Sequence, residues 1–222
     1  MRVECSAVLF DLDGVLVDST AYIEQQWRDW ARSRGLDPEP FVRVCHGRRA
    51  VDTIRLAAPQ LDAEAEVSCF RAEAPDEEAT LTPVPGAREL LAALAGSRWA
   101  VVTSGVRRFA LARLVGAGLP VPPVLVSAED VREGKPSPEG YLRAAALVGA
   151  EPGDCLVFED APPGLTAARA AGATVIGLAT THPPEALADA HAVVISLADV
   201  HLIASGSDRL ALEIAVLPVI PV

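Results

Sequence analysis

The sequence predicts a doubly wound α/β protein: a parallel sheet with helices on both faces, interrupted after its first strand by an all-helical insertion. Three observations predict it. Six short apolar runs, rich in Val and Leu and almost unalternated, each end in small or polar residues, as strands buried on both faces of a parallel sheet do. Helical segments lie between most of them, several closing on glycine, and such βα alternation builds a doubly wound sheet. The alternation stops for about 65 residues after the first run, where only helical patterns occur.

In order, the first strand is expected over 7–10, before "DLDG". Residues 17–82 then read as helices, in "YIEQQWRDWARSRG", "VDTIRLAAP" and "DAEAEVSCFRAEA", with no convincing strand. Trp27 and Trp30, three apart on the first of these, read as the packed core of the inserted lobe. "TPVPG" (82–86) is the return hinge, its prolines stiffening the linker. Strands follow over 99–102, 124–126, 155–158, 174–178 and 192–195. Helices are expected over 86–97, 107–118, 138–150 and 163–173. The apolar C-terminal "ALEIAVLPVIPV" either adds an edge strand or packs over the core. Residues 1–16 and 83–222 would thus form the sheet domain, and 17–82 the helical one.

Half of the 222 residues are hydrophobic and 22% are charged, which fits a packed globular chain. A net charge of −11 argues against nucleic-acid binding, because phosphate backbones recruit basic faces; an anionic substrate has to be met locally. Cys5, Cys45, Cys69 and Cys155 show no CxxC pairing, so buried free thiols are expected rather than a zinc site or a disulfide framework. "MRVECSAVLFDLD" reaches charged residues too soon for a signal peptide, and no apolar run approaches the ~18 residues of a membrane span, so a cytoplasmic protein is expected. Nothing in the sequence marks an oligomeric interface.

In an open parallel sheet, ligands bind beyond the C-terminal ends of the strands. That rule gathers Asp11, Asp13, Thr103, Ser104, Glu159 and Asp160 into one crevice, with Lys135 arriving from a loop before a helix. Singly, each motif has an ordinary structural use: "DLDG" as a strand-end turn, "VVTSG" as a helix cap, "FEDAPPG" as a capped helix start with proline in its first turn. Lys135 is the only lysine in a chain with 18 arginines, and that makes its retention informative.

Taken together, a strand ending in DxDG, one ending in Thr/Ser, a lone Lys in "GKPSPEGY" and a strand ending in an acidic pair resemble the four motifs of the haloacid dehalogenase superfamily over nearly the whole chain. The helical insertion resembles the cap of the subgroup that holds sugar phosphatases and β-phosphoglucomutase. "CHGRRAVDTIRLAAP", "WAVVTSG", "GKPSPEGYL", "VFEDAPPGLTAARAAG" and "GLATTH" are similar to the glycerol-phosphate and 2-deoxyglucose-6-phosphate phosphatases. The resemblance implies a Rossmann-like catalytic core with a helical cap and Mg²⁺-dependent hydrolysis of a small sugar or polyol phosphate monoester.

Physical chemistry agrees with those roles. The Asp11 carboxylate can attack phosphorus and form an aspartyl-phosphate, splitting one displacement into two easier ones. Asp13 can protonate the leaving oxygen and then deprotonate the hydrolytic water. A carboxylate attacking a phosphate dianion calls for a cation, and clustered oxygen ligands suit Mg²⁺. The resemblance implies Asp11, the backbone carbonyl of Asp13 and Asp160 as ligands, with Glu159 either a ligand or a partner behind them. It further implies that Thr103 and the Ser104 N–H hold the phosphoryl group and that Lys135 lies against Asp11. A compact ammonium suits that place better than the broad guanidinium of Arg.

In β-phosphoglucomutase-like relatives a cap His follows the DxD motif by ten residues, and a cap Arg grips the second phosphate; the matching positions here are Ile23 and Ala50, which favours a phosphatase. The cap loop His46, Gly47, Arg48 and Arg49 is the expected substrate-selecting segment, with Glu24, Asp52 and Arg55 as further candidates to line the cleft. Asp13 counts against a dehalogenase, which protonates no leaving oxygen, and the lack of a cap lysine excludes Schiff-base phosphonoacetaldehyde chemistry. A catalytically silent phosphate-binding module would have no need of a nucleophile and an acid together.

Overall fold

The computed structural model of the chain describes residues 1–73, 81–206 and 209–217. The chain starts with β1 (Arg2–Cys5) and β2 (Ala7–Phe10). A short β3 (Val17–Asp18) leads into four helices, α1 (Thr20–Ser33), α2 (Glu39–Val42), α3 (Ala50–Ala57) and α4 (Ala63–Glu73), and β4 (Thr82–Pro83) brings the chain back. Then α5 (Ala87–Ala93), β5 (Trp99–Val102), α6 (Arg107–Gly116), β6 (Leu125–Val126) and α7 (Glu139–Val148) alternate. β7 (Cys155–Glu159), α8 (Pro162–Ala170), β8 (Thr174–Leu178), β9 (Ala192–Val194), β10 (Val200–Ser205) and β11 (Leu210–Ile214) complete it.

Among the described residues, six strands form one parallel sheet in the order β6-β5-β2-β7-β8-β9. β2, β5 and β7 are buried along their whole length, which explains their unbroken apolar runs. Val8 and Phe10 face one layer, with Leu90 and Leu91 of α5 and Ala110 and Leu114 of α6. Ala7 and Leu9 face the other, with Tyr141 and Ala145 of α7 and Leu165 and Ala168 of α8. Small alanines let α7 and α8 approach the sheet closely. From β2 the chain builds outward through β5 and β6, then returns to the other side of β2 at β7. That reversal opens a crevice at the C-terminal end of β2, where Asp11 begins the next loop.

The helices α1–α4 pack around a separate apolar cluster of Trp27, Trp30, Phe41, Ile54 and Val67. Trp27 stacks between Phe41 (5.8 Å) and Phe70 (4.4 Å), so both tryptophans belong to this cluster as expected.

Several features differ from the sequence expectation. β3 and β4 form a two-residue antiparallel ribbon, Val17 with Pro83 and Asp18 with Thr82, too short to leave a periodic signal. α2 has four residues and went unread for the same reason. The C-terminal run does not extend the main sheet: β11 is the middle strand of a separate antiparallel sheet, β1-β11-β10. The tail residues 218–222, and residue 74 at the end of the third expected cap helix, lie outside the described residues. Cys5, Cys45 and Cys155 are buried thiols, pushed up to about 11, about 12 and about 12 by burial, but Cys69 is exposed. No described helix is long and apolar enough to cross a membrane.

Candidate active site

The loops leaving β2, β5 and β7 bring the sequence-marked side chains together. Asp11 follows β2, its N–H donating to the Phe158 carbonyl at 3.0 Å. Thr103 follows β5, its N–H donating to Val126 O at 2.9 Å and its Oγ1 accepting from the Gly105 N–H at 3.0 Å. Glu159 ends β7 and Asp160 follows it, both nearly or fully inaccessible. Carboxylate oxygens of Asp11, Glu159 and Asp160 lie within 4.8 Å of one another.

Close approach of these loops depends on two glycines. Gly14, at φ +80°, sits so near Asp160 that a Cβ there would lie 2.2 Å from Oδ2. Gly164, in the first turn of α8, would place a Cβ 1.7 Å from Glu159 Oε1. The "DLDG" and "PPG" glycines therefore clear space for the carboxylates.

Lys135 runs in beneath this cluster. Its Nζ donates to Asp11 Oδ1, to Glu159 Oε1 at 2.6 Å and to the Val102 carbonyl at 3.1 Å. Glu159 Oε1 also accepts from the Tyr141 hydroxyl at 2.7 Å, and Oε2 accepts from the Asp160 N–H at 3.1 Å. Both Glu159 oxygens are thus engaged by protein donors, and Glu159 acts as the socket that holds Lys135. Tyr141 was not singled out in the sequence; its signal was a buried phenol in the first turn of the helix after the lysine loop.

The charges do not balance. Three buried carboxylates share one ammonium, and burial, only partly offset by Lys135, pushes the Asp11 carboxyl up to about 7. Burial, with repulsion from Asp11 and Glu159, lifts Asp160 well above the usual carboxylate range. Burial alone would lower the Lys135 ammonium, yet Asp11 and Glu159 outweigh it and hold it above the ordinary lysine range. An all-oxygen donor set carrying excess negative charge fits a hard divalent cation such as Mg²⁺.

Asp13 sits beside this cluster, its Oδ1 accepting from Ser19 Oγ at 2.7 Å and from Arg113 Nη1 at 2.8 Å. Arg113 also escaped the sequence reading, although an arginine stood on the buried stripe of α6 among Ala110, Leu114 and Ala117.

A cleft of about 110 Å³ opens above Asp11 and Asp13. Thr103, Ser104, Val106, Phe109 and Arg113 line it from below, and Ile23, Gln26, Trp27, Phe70 and the 45–50 loop from above. The loop docks on the core at several points. Ser104 Oγ donates to Gly47 O at 3.0 Å, Arg49 Nη1 donates to Arg132 O at 2.9 Å, and the His46 ring packs edge-on against His182, centroids 5.9 Å apart. His182 Nδ1 lies 3.1 Å from the Asp160 carbonyl, and burial lowers its imidazole. Arg48 donates to Val44 O, while Arg49 also grips Asp52 with two bonds of 2.7 and 3.2 Å. Glu24, Asp52 and Arg55 are not among the described cleft-lining residues. Glu24 and Asp52 are turned toward His46 and Arg49 as supports, and Arg55 is exposed and paired with Glu64.

Residues 5–172 match the haloacid dehalogenase-like hydrolase family. The chain belongs to that family. It is 44% identical to hexitol phosphatase A of Escherichia coli over 179 residues, covering 78% of this chain and 83% of that protein. It is 37% identical to glycerol-1-phosphate phosphohydrolase 2 of Saccharomyces cerevisiae over 193 residues, covering 82% and 77%. The crystal structure of a hydrolase from Pseudomonas syringae superposes with a TM-score of 0.78 at 26% identity, covering 87% of this chain and 95% of that one. For a haloacid dehalogenase-like hydrolase, the six-stranded core and the crevice at β2 are therefore the framework on which this chain's own residues act.

Proposed function

We propose that this hydrolase is a Mg²⁺-dependent phosphatase that cleaves small sugar or polyol phosphate monoesters through an aspartyl-phosphate on Asp11. The observation that carries the reading is that Asp11, which lines a cleft together with Thr103 and Ser104, belongs to a buried group with Asp160 and Lys135. The named activities of the similar proteins, on hexitol and glycerol phosphates, support the substrate class.

In this mechanism Asp11 attacks phosphorus, the bond to the leaving oxygen breaks, and Asp13 gives that oxygen its proton. Water then attacks the aspartyl-phosphate, Asp13 takes up the proton released, and inorganic phosphate leaves with Asp11 regenerated. Lys135, fixed by Glu159 and Tyr141, holds Asp11 and meets phosphoryl oxygens, while the Thr103 hydroxyl and the Ser104 N–H orient the same group. Asp11, Asp160 and the Asp13 carbonyl would hold Mg²⁺, which when bound offsets the repulsion between carboxylate and phosphate dianion.

Residues 17–82 act as a cap over residues 1–16 and 83–222, and the 45–49 loop selects the leaving group. Arg49, tied to Asp52 and Arg132, has little left with which to grip a second phosphate, and Ile23 and Ala50 offer none; this favours a phosphatase over a mutase.

The test is Mg²⁺-dependent phosphate release from hexitol phosphates, glycerol phosphates, 2-deoxyglucose 6-phosphate and β-glucose 1-phosphate, with Asp11→Asn as blank. Release from the polyol or sugar esters that vanishes in the blank is expected. Conversion of β-glucose 1-phosphate to glucose 6-phosphate with little free phosphate would overturn the reading.

A further inference from the structure

Arg113 lies 100 residues from the first motif in sequence, yet its Nη1 is 2.8 Å from Asp13 Oδ1. It occupies a place on the buried stripe of α6, between Ala110 and Ala117, where an apolar residue would otherwise pack, and it is 7% exposed. A guanidinium is rarely buried on a helix's core face unless a partner holds it there. Arg113 and Asp13 both line the cleft, and the guanidinium lies 5.9 Å from the centroid of the Tyr22 ring.

A second donor reaches the same oxygen. Ser19 stands at the N-cap of α1, where a serine hydroxyl usually accepts from the helix's own N–H groups, but it caps nothing and donates to Asp13 Oδ1 at 2.7 Å. Among the described residues, no donor bonds Asp13 Oδ2. A carboxyl turns readily about its terminal torsion, which is broad and two-fold; two donors on one oxygen, one from the start of α1 and one from α6, stop that turning.

We propose that Arg113 is a positioning residue for the acid–base carboxyl of Asp13, pinning Oδ1 so that Oδ2 alone carries the proton to the leaving oxygen and takes it from water. The inference rests on the reading of Asp13 as acid and base given above.

The test compares kcat/KM for glycerol 1-phosphate, whose alkoxide must be protonated as it leaves, with p-nitrophenyl phosphate, whose phenolate leaves without a proton. Because kcat/KM reports the steps up to leaving-group departure, the later hydrolysis of the aspartyl-phosphate does not enter. Arg113→Met is expected to lose about 10²-fold on glycerol 1-phosphate and at most about threefold on p-nitrophenyl phosphate; the size is that of a general acid. Arg113→Lys, which keeps a cation within reach, is expected to recover about tenfold of the glycerol 1-phosphate loss. An equal fall on both substrates, or no fall on either, would overturn the inference. If Arg113→Met shows no cooperative thermal transition, Arg113→Lys decides alone: an unequal loss supports the inference and an equal one sinks it. Asp13→Asn is run beside them. If it too lacks the leaving-group split, the reading of Asp13 has failed; if it has the split and the Arg113 variants do not, only the role of Arg113 has.

Discussion

Replacing Tyr141 by Phe removes one hydroxyl from the floor of the site and leaves the ring in place. That hydroxyl is buried and donates at 2.7 Å to Glu159 Oε1, an oxygen with no access to solvent. Burial, reinforced by Glu159, holds the phenol well above the ordinary tyrosine range, so it stays a donor at any pH where the protein works. Loss of a hydrogen bond to a buried charged oxygen costs about 1.5–3 kcal/mol. For a chain of 222 residues, 1 kcal/mol moves Tm by about 2–4 °C, so a loss near 2 kcal/mol lowers Tm by about 4–8 °C. Lys135 still holds Glu159 Oε1, and the Phe ring still lies near its ammonium, 5.2 Å away in the native structure; kcat should therefore fall by no more than about tenfold. The assay is thermal denaturation and steady-state kinetics of Tyr141→Phe, Glu159→Gln and the double variant. A coupling of about 1–2 kcal/mol between the two is expected. A Tm within about 1 °C of native, with coupling near zero, would refute the view of Glu159 as a socket that needs both donors.

Two further predictions follow from the same group. Gly164→Ala puts a methyl 1.7 Å from Glu159 Oε1 and 2.0 Å from Cδ, so either the carboxylate leaves Lys135 or the start of α8 shifts. Overpacking of that kind costs about 1–3 kcal/mol, and kcat should fall by about 10²-fold or more, read by phosphate release and thermal melting; native kcat would disprove the close fit. Mg²⁺ bound as proposed would displace protons from two raised carboxyls, Asp11 at about 7 and Asp160 well above its usual range, so its affinity should depend on pH. As pH falls each unit lost should weaken binding by at least about tenfold, because both carboxyls must give up a proton to the cation. Isothermal titration between pH 5 and pH 8 reads this directly, and an affinity that does not change over that range would contradict it.

Sequence alone determined the strands of the main sheet and the residues at their C-terminal ends, because burial on both faces writes an unbroken apolar run and the loop chemistry follows it at a fixed place. The lone Lys135 in a lysine-poor chain was legible for a different reason, since composition removed every alternative use of that residue type. The two-residue ribbon β3–β4 and the four-residue α2 were not legible, because each spans only about one period of its pattern and a period must repeat to be seen. β1 and the β10–β11 pair form a separate small sheet that depends on strands more than 200 residues apart finding each other, which no local signal specifies.

In the active site the divide is the same. Asp11, Asp13, Thr103, Lys135, Glu159 and Asp160 announce themselves by position, whereas their supports, Arg113, Tyr141 and Ser19, are ordinary helix or helix-cap residues in one dimension. Whether Arg113 meets solvent or Asp13 is set by how α6 rotates as Ala110 and Leu114 pack into the core, and whether Tyr141 meets Glu159 is set by the seating of α7 on β2 and β5. Arg49 reads as a substrate contact from sequence, yet the approach of its loop to residues 132–134 gives it Asp52 and a backbone carbonyl as partners. Local pattern fixes which residues are buried and which end a strand; which buried polar groups face each other is decided only when the layers pack.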